Sequence, residues 1–286
     1  MTTKLEISGV AETLLLPLYI RARESRRPDA IIKDPFVEQL IDRLDYDFSG
    51  YKFDKEDEVA IILRNRQFDR YTQDFLARRA EAVVVHLGCG LDNRFERVDD
   101  GRVEWYDLDL PEVIDLRRKL IGDDGGRYHL LGCSVLEPAW LDAVGAHGVR
   151  PHNMRPDNMR PSSQRPFLFL AEGVFMYFEA EQVRSLVLTL LDHFPGSELV
   201  FDCYSPIHRR VHNFQLTTLG HKASAHWGIW HGQEIERWGN GIRLLGEWGF
   251  FDEPEPRLAP MRLIRLIDAL FRTLRIYHFQ LGKAAG

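Results

Sequence analysis

Two glycines close a short β-branched run in this chain. Ala82-Val83-Val84-Val85-His86-Leu87 has the texture of a buried parallel strand, and Gly88-Cys89-Gly90 follows at once. Glycine in that place lets the backbone turn tightly and come close to a ligand. The dinucleotide fingerprint G-x-G-x-x-G is incomplete, because Asn93 stands where its third glycine belongs. The turn alone also reads as an ordinary strand-to-helix connection. Asp107 and Asp109 close the next strand candidate, Val103 to Asp109. A carboxylate there can accept hydrogen bonds from both hydroxyls of a ribose. Together the two features point to a nucleoside-containing cofactor, without saying which.

Two further segments carry chemistry. Cys133-Ser134-Val135 follows a third strand candidate, and a small polar residue beside an apolar one suits an adenine. Glu172, in Ala171-Glu172-Gly173-Val174-Phe175-Met176-Tyr177, follows a fourth. A carboxylate at a strand's carboxyl end is placed to meet a cationic ligand group such as an α-ammonium, or else to cap a helix. Phe175 and Met176 read as packing.

The elements that must hold these residues alternate. Strands are expected at 82–87, 103–109, 127–132, 167–171 and 198–203, with helices at 112–121, 138–144 and 181–193 between them. That alternation is the mark of an α/β fold with a parallel sheet. Leu274 to Leu281 alternates like a one-sided strand and is expected as an antiparallel edge, after a helix from Met261 to Phe271. The front third reads helical: Ala11 to Arg23, a helix start at Asp34-Pro35, and a long amphipathic helix from Glu56 to Arg79.

Composition bounds the function. The chain has 286 residues, 37 Lys+Arg against 43 Asp+Glu, and a net charge of −6, which argues against a protein built to hold nucleic acid. No run approaches the ~18 apolar residues of a membrane span, and Met1-Thr2-Thr3-Lys4-Leu5-Glu6 does not open like an export signal. Cys89, Cys133 and Cys203 have no metal-ligand spacing, so no metal site is expected and the chain reads as a reduced, cytoplasmic protein. All but seven of the cations are arginine. Base composition of the gene accounts for that number, so only arginine position carries meaning. Arg-Pro recurs every five residues from Arg150-Pro151 to Arg165-Pro166, which reads as a short duplication in an extended surface loop at the amino edge of the sheet, away from the ligand edge.

These residues resemble the S-adenosylmethionine-dependent methyltransferases of the leucine carboxyl methyltransferase family, most closely its bacterial TcmP-like branch of polyketide O-methyltransferases. The marks span nearly the whole chain. They are Arg21-Ala22-Arg23-Glu24-Ser25 with Asp34-Pro35, Arg64-Asn65-Arg66-Gln67-Phe68-Asp69, and Leu87-Gly88-Cys89-Gly90-Leu91-Asp92-Asn93-Arg94. They continue with Asp107-Leu108-Asp109-Leu110-Pro111-Glu112-Val113, Glu172 to Tyr177, and the Trp-Gly-rich stretch around Trp227 and Trp248. The resemblance implies a Rossmann-like class I fold: a mostly parallel seven-stranded sheet, a helical N-terminal cap over 1–81, and a methyltransferase domain over 82–286 with a helical insert at about 206–236.

It also implies roles. Gly88 and Gly90 pass under the cofactor's amino-acid part, Asp109 (with Asp107 as alternate) holds the ribose, and Ser134 and Val135 flank the adenine. Glu172 meets the ammonium through its backbone or side chain. Arg64 binds the carboxylate, with Arg23 as a second candidate. Eukaryotic relatives often carry Asp where Ser134 stands, which weakens the expected contact to the adenine amine. A nicotinamide cofactor has no ammonium to occupy Glu172, which favours methyl transfer over hydride transfer. S-adenosylmethionine supplies an already activated methyl, so the protein's task is alignment and exclusion of water. A carboxylate acceptor, ionised near pKa ~4, needs no base, whereas a phenol near ~10 benefits from one. His208 and His212 follow the fifth strand and suit either that role or an exposed surface. Tyr177 is expected to contact the small-molecule acceptor, and the aromatic and histidine-rich insert suits a flat one or packs as a small subdomain. Methylation of a protein C-terminal carboxylate and a catalytically idle cofactor-binding module remain as alternatives.

Overall fold

The centre of the molecule follows from two segments with no polar face. β1 (Val83–Leu87) and β4 (Phe167–Ala171) are buried at every position, which only strands flanked by strands and covered on both faces can be. The computed structural model describes residues 10–50, 55–148, 165–218, 224–261, 266–268 and 272–283. Its sheet has seven strands in the order β3-β2-β1-β4-β5-β7-β6, adding β2 (Glu104–Asp109), β3 (Tyr128–Gly132), β5 (Ser197–Tyr204), β6 (Ile242–Gly249) and β7 (Leu274–Leu281). β1 to β5 are parallel, as their alternation with helices predicts.

The tail strand departs from expectation. β7 is antiparallel but not the edge: it lies between β5 and β6 and pairs with both. Seven of its eight residues are buried, because both neighbours shield it. The edge is β6, around Trp248, whose outer half alternates between exposed and half-buried side chains.

Helices cover both faces. Residues around β1, β4, β5 and β7 form one apolar layer with α6 (Ala139–Gly148) and α7 (Ala180–His193), including Trp140, Val183, Val187 and Leu190. The other layer joins the sheet to α3 (Lys55–Arg78) through Val59, Leu63, Phe68 and Phe75. α1 (Val10–Ser25) and α2 (Pro35–Arg43) pack together ahead of α3, and Asp34 caps α2 by accepting from the Val37 N–H at 3.1 Å. One-turn α4 (Arg94–Val98) and α5 (Pro111–Leu120) follow β1 and β2. The expected insert contains α8 (Pro206–Thr218) and short α9 (Gln233–Glu236). Most of the Arg-Pro repeat and of the expected helix at 261–271 lies outside the described residues. Pro166, at the repeat's end, accepts from the Val83 N–H at 2.9 Å, so that segment enters β4 from the amino edge, as its topology predicts.

Candidate functional site

Strand order reverses between β1 and β4, and the carboxyl ends of strands at such a reversal are where open α/β sheets bind ligands. The loop after β1 is the glycine turn. Gly88 and Gly90 sit at φ +64° and +53°, where a side chain is strained, and a Cβ on Gly88 would stand 2.5 Å from Val174 Cγ2 of the loop after β4. The turn is fixed from β2: Gly88 and Cys89 donate to the Leu108 carbonyl at 2.7 and 3.1 Å.

The two aspartates of β2 have separate fates. Asp107 is 1% exposed and bonded to Arg117, Tyr128 and Trp105. Both of its oxygens are spent on side-chain donors inside the protein, which argues against the alternate ribose role. Asp109 is half-buried at the strand's end. It accepts from the Gly90 N–H at 2.7 Å and the Leu110 N–H at 2.8 Å, and burial raises its pKa. Each of its oxygens takes one backbone donor and keeps further acceptor capacity.

Ser134 is half-buried, and its Oγ accepts from the Leu136 N–H at 3.2 Å. Val135 turns inward: it is 7% exposed and packs in the core. Its side chain is therefore not a free adenine flank. Large apolar side chains left open after β2 and β3 are Leu110 at 42% and Leu136 at 37%. Sequence reasoning passed over both, because exposure of one leucine has no sequence signature.

Arg64 of α3 and Glu172 after β4 meet directly, Nε to Oε1, at 2.9 Å. Asp202 of β5 takes Arg64 Nη1 at 3.2 Å and also accepts from the Gly173 N–H at 2.6 Å. Burial works against the Arg64 charge, but the two carboxylates outweigh it and raise its pKa. Glu172 has further donors: Arg94 Nη2 at 2.6 Å on Oε2, and the Asn65 amide. Burial pushes Glu172 up, but Arg64 and Arg94 outweigh it and hold it below the usual carboxylate range. The Glu172 side chain orients Arg64: its Oε1 takes two donors, and its Oε2, with Arg94 alone, keeps acceptor capacity.

Arg23 stands apart. Its side chain is 49% exposed, pairs with Glu58 and lies over the Tyr19 ring. The α1 cation that reaches the glycine turn is Arg21, bonded to Asp34 at 2.9 Å, Asn93 at 2.8 Å and Asp92 at 2.9 Å. Through Asp92, Arg97 and Asp69 this network runs on to Arg94. Arg21, Arg94 and Arg117 are at most 1% exposed, so arginine position, not number, is what matters here. Their signal lay in the motifs themselves: polar Asn65 and Asp69 fall on the buried side of α3, and Arg94 opens a one-turn helix.

Tyr177 is 40% exposed, and burial raises its pKa while Arg64 and Asp202 act on its hydroxyl. His208 is half-buried beside Tyr204, with its pKa pushed down to about 4 by burial and by His212. Among the described residues, no three His, Cys, Asp or Glu are grouped to hold a metal, and no helix is long and apolar enough to cross a membrane.

Residues 15–190 match the family model described as leucine carboxyl methyltransferase. The chain is 33% identical over 255 residues to the tetracenomycin polyketide synthesis O-methyltransferase TcmP of Streptomyces glaucescens, covering 89% of this chain and 88% of that one. It is 30% identical over 217 residues to the S-adenosyl-L-methionine-dependent methyltransferase dpfgK of Gibberella zeae, covering 70% and 67%. Among solved structures, a DUF574 family protein of Streptomyces avermitilis superposes with a TM-score of 0.54 at 13% identity, over 94% of this chain and 96% of that one. A protein of Thermobifida fusca YX superposes with 0.53 at 17%, over 92% and 94%. At those identities the likeness shows the fold.

Proposed function

This chain belongs to the leucine carboxyl methyltransferase family, and from that membership we propose that it methylates an oxygen, in the first reading a carboxylate, of a small polyketide-like molecule. It is an S-adenosylmethionine-dependent methyltransferase in the bacterial branch that includes the tetracenomycin enzyme. The observation that carries the site reading is Arg64, set against Glu172 and Asp202 beside the glycine turn at the reversal of the sheet.

The residues present fit the cofactor's chemistry. Arg64, held by two carboxylates yet 18% exposed, offers a cation to an amino-acid carboxylate. Asp109 offers acceptor oxygens to a diol. Ser134, Leu110 and Leu136 offer one polar and two apolar surfaces to a flat base. Gly88 and Gly90 let the backbone approach. When bound, the cofactor supplies a methyl group on a sulfonium. The chain's part is to align the acceptor oxygen and keep water out.

His208, half-buried against the Tyr204 ring just after β5, favours the carboxylate reading. An imidazole with a pKa of about 4 is too weak to take the proton of a phenol near ~10, whereas a carboxylate arrives ionised. Residues 1–81 act as a cap in this reading, since α1 and α3 supply Arg21 and Arg64 to the site, and 206–236 form the acceptor side. Like other enzymes on soluble metabolites, the protein then works in the cytoplasm.

The test uses S-adenosylmethionine labelled in its methyl group and a panel of aromatic acids and phenols. A methyl ester releases labelled methanol in mild alkali, and a methyl ether does not. Alkali-labile label supports the carboxylate. Stable label on phenols alone moves the reading to a hydroxyl acceptor.

A further inference from the structure

β5 ends at Tyr204, whose ring centroid lies 5.0 Å from that of His208 and 4.8 Å from that of His212. The two imidazoles stand one turn apart on α8 and flank a single phenol ring. Tyr204 also joins them to the cofactor side, because its hydroxyl feels the charges of Arg64 and Asp202 and neighbours Tyr177. His212 Nε2 is buried and has no hydrogen-bond partner among the described residues. A buried polar nitrogen left unpaired carries a desolvation cost, which a ligand's oxygen would relieve. Of the three rings only Tyr204 reaches the Arg64 arrangement, through the charges of Arg64 and Asp202.

We propose that His208, Tyr204 and His212 form the acceptor's seat, in which the rings pack a planar aromatic acceptor and the His212 Nε2–H donates to its oxygen. This rests on the methyl-transfer reading above and names the acceptor class and contacts of the same site. Aromatic side chains gathered at mutual tilts of 42° and 40° favour a flat partner over an aliphatic one. Burial lowers the pKa of both imidazoles, so they meet the acceptor uncharged. A neutral N–H orients a carboxylate without drawing off its charge as an arginine would, and leaves it nucleophilic.

The experiment uses the full chain saturated with S-adenosylhomocysteine, with 1-naphthoate and cyclohexanecarboxylate as probes. Calorimetry gives affinities, and nitrogen NMR follows the imidazoles. Naphthoate is expected to bind at least tenfold more tightly than cyclohexanecarboxylate and to move the His212 Nε2 resonance. His212→Phe, which keeps a ring and loses the donor, is expected to weaken naphthoate tenfold or more. His212→Gln, with an amide donor, recovers part of the loss. The wild-type NMR result stands even if a variant folds poorly. The seat is overturned if S-adenosylhomocysteine binds but naphthoate moves neither imidazole, or if His212→Phe folds and binds naphthoate unchanged. Failure to bind S-adenosylhomocysteine removes the methyl-transfer reading, and the seat with it.

Discussion

Arg64 Nε lies 2.9 Å from Glu172 Oε1, although 108 positions separate the two residues in the chain. The contact joins the third helix to the loop after the fourth strand, and it turns two motifs into one cationic surface with an acidic backing. Asp202 completes the backing from β5. The arginine is thus oriented before any ligand arrives, and preorganisation of this kind reduces the cost of binding.

Arg64→Lys should therefore weaken S-adenosylhomocysteine at least tenfold, since an ammonium cannot hold Glu172, Asp202 and a ligand carboxylate in one plane. Arg23→Ala should change that affinity less than twofold, because its exposed guanidinium is spent on Glu58. Isothermal titration of both variants checks the pair. Equal losses would return Arg23 to the site.

The β2 aspartates should separate in the same way. Asp109→Ala is expected to weaken S-adenosylhomocysteine tenfold or more with a small change in melting temperature. Asp107→Asn leaves Arg117 short of a carboxylate in the interior, where breaking a pair costs about 3–5 kcal/mol. Its signature is a lowered denaturation midpoint. An Asp107 variant of normal stability that binds poorly would reverse the assignment.

This contrast shows how far the sequence was legible. The strand run at Val83–Leu87, the glycine turn and the carboxylates at strand ends all rest on local rules: β-branched residues, φ > 0 and chain order. They came out where expected. What stayed hidden was pairwise. No periodicity separates Asp107 from Asp109, two positions apart on one strand, until Arg117 and Tyr128 are seen to enclose the first. β6 was missed because an edge strand needs only one apolar face, and Gly246 and Gly249 interrupt its pattern. Arg94 was visible as a motif letter, but its contacts with Asp69 and Glu172 depend on α3 crossing behind the sheet.

Glu198 gives a pH-dependent test away from the site. It accepts from Arg78 at 3.0 and 3.1 Å and lies 2.7 Å from His278 Nε2. Burial pushes its pKa up, but the bonds to His278 and Arg78 outweigh that and hold it at about 2, against an ordinary 4.5. A carboxylate with a depressed pKa contributes stability above its unfolded value, and the contribution fades as pH falls from 4.5 toward 2. Glu198→Gln should thus cost ~1–2 kcal/mol at pH 7, a figure reduced because Arg78 is half exposed. Urea denaturation at pH 7, 5 and 3.5 should show the gap between variant and parent narrowing only below about 4.5. A gap independent of pH would mean that the loss is packing, not charge.

The approach of the loops after β1 and β4 can be tested by a double substitution. Gly88→Ala puts a side chain at φ +64°, a strain of roughly 1–2 kcal/mol, and sets its Cβ 2.5 Å from Val174 Cγ2. Only the second effect depends on Val174. Gly88→Ala alone should lower stability and reduce S-adenosylhomocysteine affinity more than tenfold, because the glycine turn must shift away from the loop that carries Glu172. Adding Val174→Ala removes the methyl in the way, so the double variant should recover part of both losses and retain the strain of the positive φ. A double-mutant cycle reads this as a favourable coupling between contacting sites. Strict additivity would show that the loops do not press on each other, and that Gly88 matters for its backbone alone.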